Sequence, residues 1–160
     1  MKLASRIKFT TVVLILAIAC ITAAAQNKPD ATATNIPKGY FSIPHETIKW
    51  AKNADGTPRE IATLFGDPTK HELYGYLVKW PPNTTAKAHS HPDDRYVMVL
   101  SGTFYLGHGN KFDATKLERQ TTGTIYSEPR TVAHFGATKD EGAVLYFVGI
   151  GPDRTDAIEK

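Results

Sequence analysis

The sequence contains a single cysteine, Cys20, and it lies within the first 25 residues. The remaining 135 of the 160 residues therefore cannot form a disulfide, and their stability must come from an apolar core, which a chain of this length can build. A basic cluster is also lacking. Without residues 1–25, Lys plus Arg falls from 19 to 16 and equals the 16 Asp plus Glu. This neutral balance argues against nucleic-acid binding, which requires clustered positive charge.

Several catalytic signatures are missing as well. The sequence has no Gly-x-Ser-x-Gly segment, and beyond Cys20 it has no cysteine nucleophile. The glycine-rich segment 107–111 lacks the spacing of a Walker or dinucleotide-binding loop. The pattern excludes the common serine and cysteine hydrolases and the phosphate-loop enzymes.

The N-terminus has the pattern of an export signal. Three cations precede an apolar run from Thr11 to Ala25, and Ala23-x-Ala25 supplies the small residues of a cleavage site. The run is shorter than the ~20 apolar residues that span a bilayer. We therefore predict a signal peptide over residues 1–25, a flexible polar linker over 26–38, and one domain over 39–160 in a periplasmic or secreted protein. The alternative is a lipoprotein anchored through Cys20, because Leu16–Cys20 loosely resembles a lipobox.

Beyond the linker, alternating short apolar runs indicate β-strands. Such runs occur at 73–80, 96–100, 103–106, 123–127 and 144–148, and Gly, Pro or Asn residues follow them. This spacing predicts an all-β sandwich or barrel. Modest helices are predicted only at 111–117 and in the tail after Pro152.

The histidines suggest a metal site. On an extended chain, residues two apart point to one face, so His89 and His91 project together. Two imidazoles on one face can share a transition-metal ion. His45, His71 and His108 lack such a partner, and solvated or packing roles are expected for them.

The wider pattern resembles the two motifs of the cupin superfamily. The positions of the first motif (Gly, His-x-His, Glu, Gly) are occupied here by Asn83, His89, His91, Arg95 and Gly102. Those of the second motif (Gly, Pro-x-Gly, His, Asn) are occupied by Gly123, Pro129, Thr131, His134 and Thr138. Six of the ten motif residues are identical, including all three histidines. His91-Pro92 and the segment 107–113 resemble small, exported, single-domain bacterial cupins.

The resemblance implies a double-stranded β-helix, or jelly roll, with His89, His91 and His134 as ligands of one divalent metal. Three neutral imidazoles suit Mn, Fe, Co, Ni, Cu or Zn, and the residues do not select among them. A homodimer is also implied by the resemblance.

Arg95 departs from the family because it stands where the motif has a glutamate ligand, and a guanidinium cannot bind a metal. Three readings are open. Asp94 or Asp93 supplies the fourth ligand, the centre has three histidines and open positions, or the site has lost its metal. An inward Arg95 would need an anion between it and the metal, or an acidic neighbour.

Two classes of function are consistent with these residues. The first is a metal-dependent enzyme of dioxygenase, isomerase or lyase type, in which the metal polarises a small substrate and Arg95 holds its carboxylate or enolate. Tyr76 is a candidate hydrogen-bond donor to that substrate. The second is a non-catalytic cupin that binds a ligand or metal as a sensor or storage module, since one fold hosts both.

Overall fold

A computed structural model describes residues 39–160; the predicted signal peptide and linker lie outside the described residues. Ten antiparallel strands and two short 3-10 turns (His45–Thr47 and Ala114–Lys116) make up the described chain. The strands are β1 (Ala51–Lys52), β2 (Glu60–Phe65), β3 (Leu73–Trp80), β4 (Thr85–Ser90), β5 (Arg95–His108), β6 (Glu118–Thr121), β7 (Ile125–Glu128), β8 (His134–Ala137), β9 (Ala143–Ile150) and β10 (Asp156–Ala157). The all-β prediction is confirmed.

Strand β5 belongs to both halves of one curled sheet. Its first part, Arg95 to Gly102, pairs with β9 and β7, and its second part, Thr103 to His108, pairs with β6 and β8. The register shifts between Val99 and Ser101, and Gly102 has φ +75°. This bulge and the left-handed glycine turn the strand from one half of the sheet into the other. The two runs predicted at 96–100 and 103–106 are therefore one bent strand.

The core lies between the two halves. Strand β9 alternates buried and half-buried residues along its length, as a strand with one face on a core does. Its inner face packs with those of β3 and β5, and the largest fully buried side chains are Tyr74, Phe135, Leu145, Val97 and Val99.

The helix predictions were only partly right. The segment 111–117 contains a single 3-10 turn, in which Asp113 accepts a hydrogen bond from the Thr115 N–H. The tail after Pro152 forms β10 instead of a helix, and it pairs with β4. Pairing with β10 satisfies the backbone hydrogen-bonding groups on the open edge of β4. The local sequence of the tail does not indicate this long-range pairing. Among residues 39–160, no helix is long and apolar enough to span a membrane.

Candidate metal centre

The three predicted histidines come together on neighbouring strands. His89 on β4 lies directly opposite His134 on β8, and His91 follows the end of β4. One ring nitrogen of each lies within 4.8 Å of the other two. The register of β4 shifts between Ala86 and His89, which turns His89 inward. The structure thus assembles the three-His group that the motif spacing predicted.

Backbone carbonyls fix the orientation of all three rings. The Nδ1 atoms of His89, His91 and His134 lie 2.7, 2.7 and 3.1 Å from the carbonyl oxygens of Lys87, Arg154 and Val132, respectively. A carbonyl only accepts hydrogen bonds, so each Nδ1 carries the proton and each Nε2 presents a lone pair. Metal-binding histidines typically donate their other ring N–H to a backbone carbonyl in this way, which fixes the orientation of the ring.

Burial keeps the imidazoles of His89 and His134 in the form that binds metals. Desolvation lowers the pKa of His89 to about 4 and also lowers the pKa of His134. Both rings are therefore neutral at neutral pH. The Nε2 atom of His91 is buried and has no hydrogen-bond partner among the described residues. An unpartnered, buried lone pair facing two others fits a metal cation, because leaving it empty costs desolvation free energy.

Arg95 points inward, and its side chain is only 6% exposed. Its Nε donates to Glu128 Oε2 at 3.0 Å, its Nη2 binds the same oxygen, and its Nη1 donates to Tyr76 Oη at 3.0 Å and approaches Asp153 Oδ1 at 3.3 Å. Tyr76 in turn donates to Asp153 Oδ2 at 2.7 Å. The guanidinium is thus shared between the buried carboxylate of Glu128 and the carboxylate of Asp153, whose side chain is 10% exposed.

The two acidic neighbours of Arg95 do not reach the histidines. Asp94 lies at the surface, where Arg130 donates to both of its oxygens, and the expectation that Asp94 is a fourth ligand is therefore replaced. Asp93 is buried, but it accepts a hydrogen bond from Tyr74. The carboxylate near the histidines is instead Glu128 on β7, whose Oε2 lies 3.6 Å from His134 Nε2.

Sequence reasoning missed Glu128 and Asp153. Glu128 lies two residues after Tyr126 and directly before the motif proline Pro129. Because residues two apart on a strand share a face, the sequence could have indicated an inward-facing acidic residue here. Its pairing with Arg95 depends on the β5–β7 register, which the sequence does not give. Asp153 lies in an irregular segment after β9, where no periodicity applies.

The polar group opens onto a cavity of about 240 Å³. Its polar lining includes the three histidines, Arg95, Tyr76, Glu128 and Asp153. Its apolar lining is largely aromatic and includes Val78, Trp80, Phe104, Leu106 and Phe147. The two kinds of residue are in contact, because Tyr76 stacks on Phe147 and the Arg95 guanidinium carbon lies 5.0 Å from the centroid of that ring. At one part of the lining, Arg59 stacks on Trp80, with its guanidinium carbon 4.5 Å from the ring centroid. The remaining histidines, His45, His71 and His108, are exposed.

Comparison with solved structures gives the fold. The polyketide cyclase RemF from Streptomyces resistomycificus superposes with a TM-score of 0.63 at 15% identity, over 76% of this chain and 87% of that one. An RmlC-like cupin from Shewanella frigidimarina gives 0.55 at 18% identity, over 70% and 90%. The fold is that of the cupins. KdgF from a Halomonas species has it too, with a TM-score of 0.52 at 19% identity over 71% and 94%.

The cupin fold confirms the jelly-roll prediction at the level of structure. No protein-family model matches the chain, and no curated protein sequence matches it. The structural neighbours include enzymes, among them a polyketide cyclase and a sugar phosphate isomerase. At this level of identity, the likeness shows the fold alone.

Proposed function

We propose that this protein is a metal-dependent cupin enzyme that acts on a small molecule at the centre formed by His89, His91 and His134. One observation carries the proposal: three imidazoles, each held through Nδ1, direct their Nε2 atoms towards one another beside a cavity. A divalent Mn, Fe, Co, Ni, Cu or Zn ion bound there would act as a Lewis acid.

The cavity lining supports a substrate that carries both polar and apolar groups. Its oxygen atoms would bind the metal, and its apolar or planar part would pack against the aromatic lining. Small hydroxy or keto compounds with adjacent oxygens and an apolar body match this lining. Arg95 and Tyr76 line the cavity, but their polar atoms already bind Glu128 and Asp153, so we no longer assign Arg95 the substrate carboxylate. The two residues orient the carboxylates instead.

The hydrogen bonds among these side chains favour a second candidate function, that of a non-catalytic binding or sensor protein. Because Arg95 binds Tyr76, Glu128 and Asp153, and Tyr76 also binds Asp153, few polar groups at the cavity are left to move protons. A metal-bound ligand could then be held without being converted.

Metal analysis followed by a turnover assay tests the proposal. Protein purified from its own source should contain close to one transition-metal ion per chain by elemental analysis. The metal-loaded protein should then convert a member of a panel of hydroxy and keto compounds, with products followed by NMR, and His134→Ala should not. Metal-dependent binding with unchanged ligand would favour the sensor function. Absence of bound metal would refute both.

Export and a homodimer remain parts of the proposal that rest on the sequence. The apolar N-terminal run supports export, and the family resemblance supports pairing of two copies.

A further inference from the structure

Glu128 provides a buried carboxylate close to the motif position at which Arg95 replaces the family glutamate. Arg95 stands at the glutamate position of the first motif, and Glu128 lies directly opposite it in the β5–β7 ladder. Residues opposite each other in an antiparallel pair share a face, so both side chains point into the same interior. We propose that Glu128, delivered by β7, is the carboxylate ligand of the three-His centre and that Arg95 is its positioning residue. This inference rests on the proposed metal-dependent function.

The contacts of Glu128 suit a ligand. Its side chain is 5% exposed, and its Oε2 lies 3.6 Å from His134 Nε2. Every hydrogen bond that it makes within the described residues goes through Oε2 to Arg95. Oε1 makes none to those residues, so this oxygen keeps its lone pairs for a cation. Glu128 lies at the border of the three-His group, because the ligand atoms within 4.8 Å of one another belong to the histidines alone. A carboxylate oxygen is a common partner of imidazole nitrogens at such centres.

Arg95 has the arrangement of a group that orients a ligand. Its planar fork binds Glu128 through two nitrogens, which fixes the plane of the carboxylate. The same guanidinium reaches Asp153, which lies 3.3 Å from His91 Nδ1. Arg95 therefore connects the carboxylate beside His134 with the carboxylate behind His91. It also balances charge that would otherwise be buried alone.

Cobalt titration of the full protein tests this assignment. Protein freed of metal with a chelator would be titrated with Co²⁺, whose visible absorption reports the number and type of ligands. In Glu128→Gln, we expect the affinity for Co²⁺ to fall at least about tenfold. Removing a residue that only supports a metal ligand already costs about this much, and removing a ligand should cost at least as much. We also expect the absorption spectrum to change, which a purely structural residue would not cause.

Asp93→Asn is the matched control, because Asp93 is an equally buried carboxylate that binds Tyr74 instead of facing His134. It should keep the wild-type spectrum. If Glu128→Gln does not fold with Arg95 unpaired, the neutral double variant Arg95→Met/Glu128→Gln replaces it and should show the same loss. An unchanged spectrum and affinity in the folded Glu128 variant, or an equal change in Asp93→Asn, would overturn the assignment. Wild-type protein that binds no Co²⁺ would overturn the proposed function as well, so the two failures are distinguishable.

Discussion

At the scale of single residues, the site is a set of three imidazoles beside a guanidinium that two carboxylates share. Each of the three histidines donates its Nδ1 proton to a backbone carbonyl, whereas Arg95 binds both Glu128 and Asp153. Burial raises the pKa of Asp153, but a hydrogen bond from His91, the charge of Arg95 and a hydrogen bond from Tyr76 outweigh it and lower that pKa to about 2. For Glu128 too, the opposing charge of Arg95 outweighs burial and lowers the pKa. Both carboxylates are therefore ionised at neutral pH.

Removing one histidine should remove the metal without unfolding the protein. His134→Ala leaves two of the three imidazoles, and a divalent ion is held far more weakly when one of its imidazole ligands is lost. The core is apolar and does not depend on the ion, so circular dichroism should be unchanged. Elemental analysis of the purified variant should find most of the metal lost. The exposed His45→Ala is the control and should keep its metal. Full occupancy in His134→Ala would refute the ligand set.

Breaking the buried ion pair should be far more costly than breaking an exposed one. Arg95→Met leaves Glu128 as an uncompensated buried charge, and we expect the free energy of unfolding of the metal-free protein to fall by about 3–5 kcal/mol. Arg130→Met removes the same side chain from its pair with Asp94, where the arginine side chain is 67% exposed, and should cost about 0–1 kcal/mol. Urea unfolding of both variants measures the difference. Equal losses would contradict the burial argument.

At the scale of secondary-structure elements, two positions where the family motifs have glycine keep a backbone conformation that favours glycine, although neither residue is a glycine. Asn83 has φ 55° and Thr131 has φ 61°, both in the left-handed region. Asn tolerates this region, but a β-branched residue does so only with strain. The Thr131 N–H donates to the His91 carbonyl oxygen at 2.7 Å, which ties the turn before β8 to the end of β4. The fold thus holds a strained residue between two strands that carry the three-His group.

Relieving this strain should stabilise the protein. Thr131 is exposed, so Thr131→Gly loses little packing while it removes the cost of the left-handed conformation. We expect the free energy of unfolding to rise by about 1 kcal/mol, measured by thermal or urea denaturation. Asn83→Gly is the control and should change stability by much less, because Asn already adopts this conformation readily. A destabilised Thr131→Gly would show that the threonine side chain makes a compensating contribution.

At the scale of the whole molecule, the end of the chain completes the centre. Asp153 binds Arg95 and Tyr76, and the Arg154 carbonyl fixes His91. Strand β10 then pairs with β4, and the Ile158 N–H donates to the Ala88 carbonyl on that strand. The ligand strand β4 is therefore held on one side by β8 and on the other by the C-terminal segment. Residues more than 60 positions apart in the sequence share one site.

The predicted signal peptide leads to a prediction about the processed chain. Cells that make the full sequence should release a chain that begins at Gln26, carries no lipid and is recovered in the periplasmic fraction, because the apolar run continues past Cys20 to Ala23-x-Ala25. Intact mass and N-terminal sequencing measure this. Cys20→Ser should be processed at the same site. Recovery in membranes, with acylated Cys20 as the first residue, would establish the lipoprotein alternative.

The sequence by itself determined the class of fold and the three histidines. Period-two apolar runs are local, so β3 was predicted to the residue and the middle of β9 was predicted. Motif spacing paired His89 and His91 with His134. Tertiary structure alone decided the rest. Register, which local sequence does not encode, set Arg95 opposite Glu128, and a bulge after Ala86 turned His89 inward. The carboxylate beside the histidines is consequently Glu128 and not Asp94, because strand pairing, and not proximity in the chain, decides which charges meet.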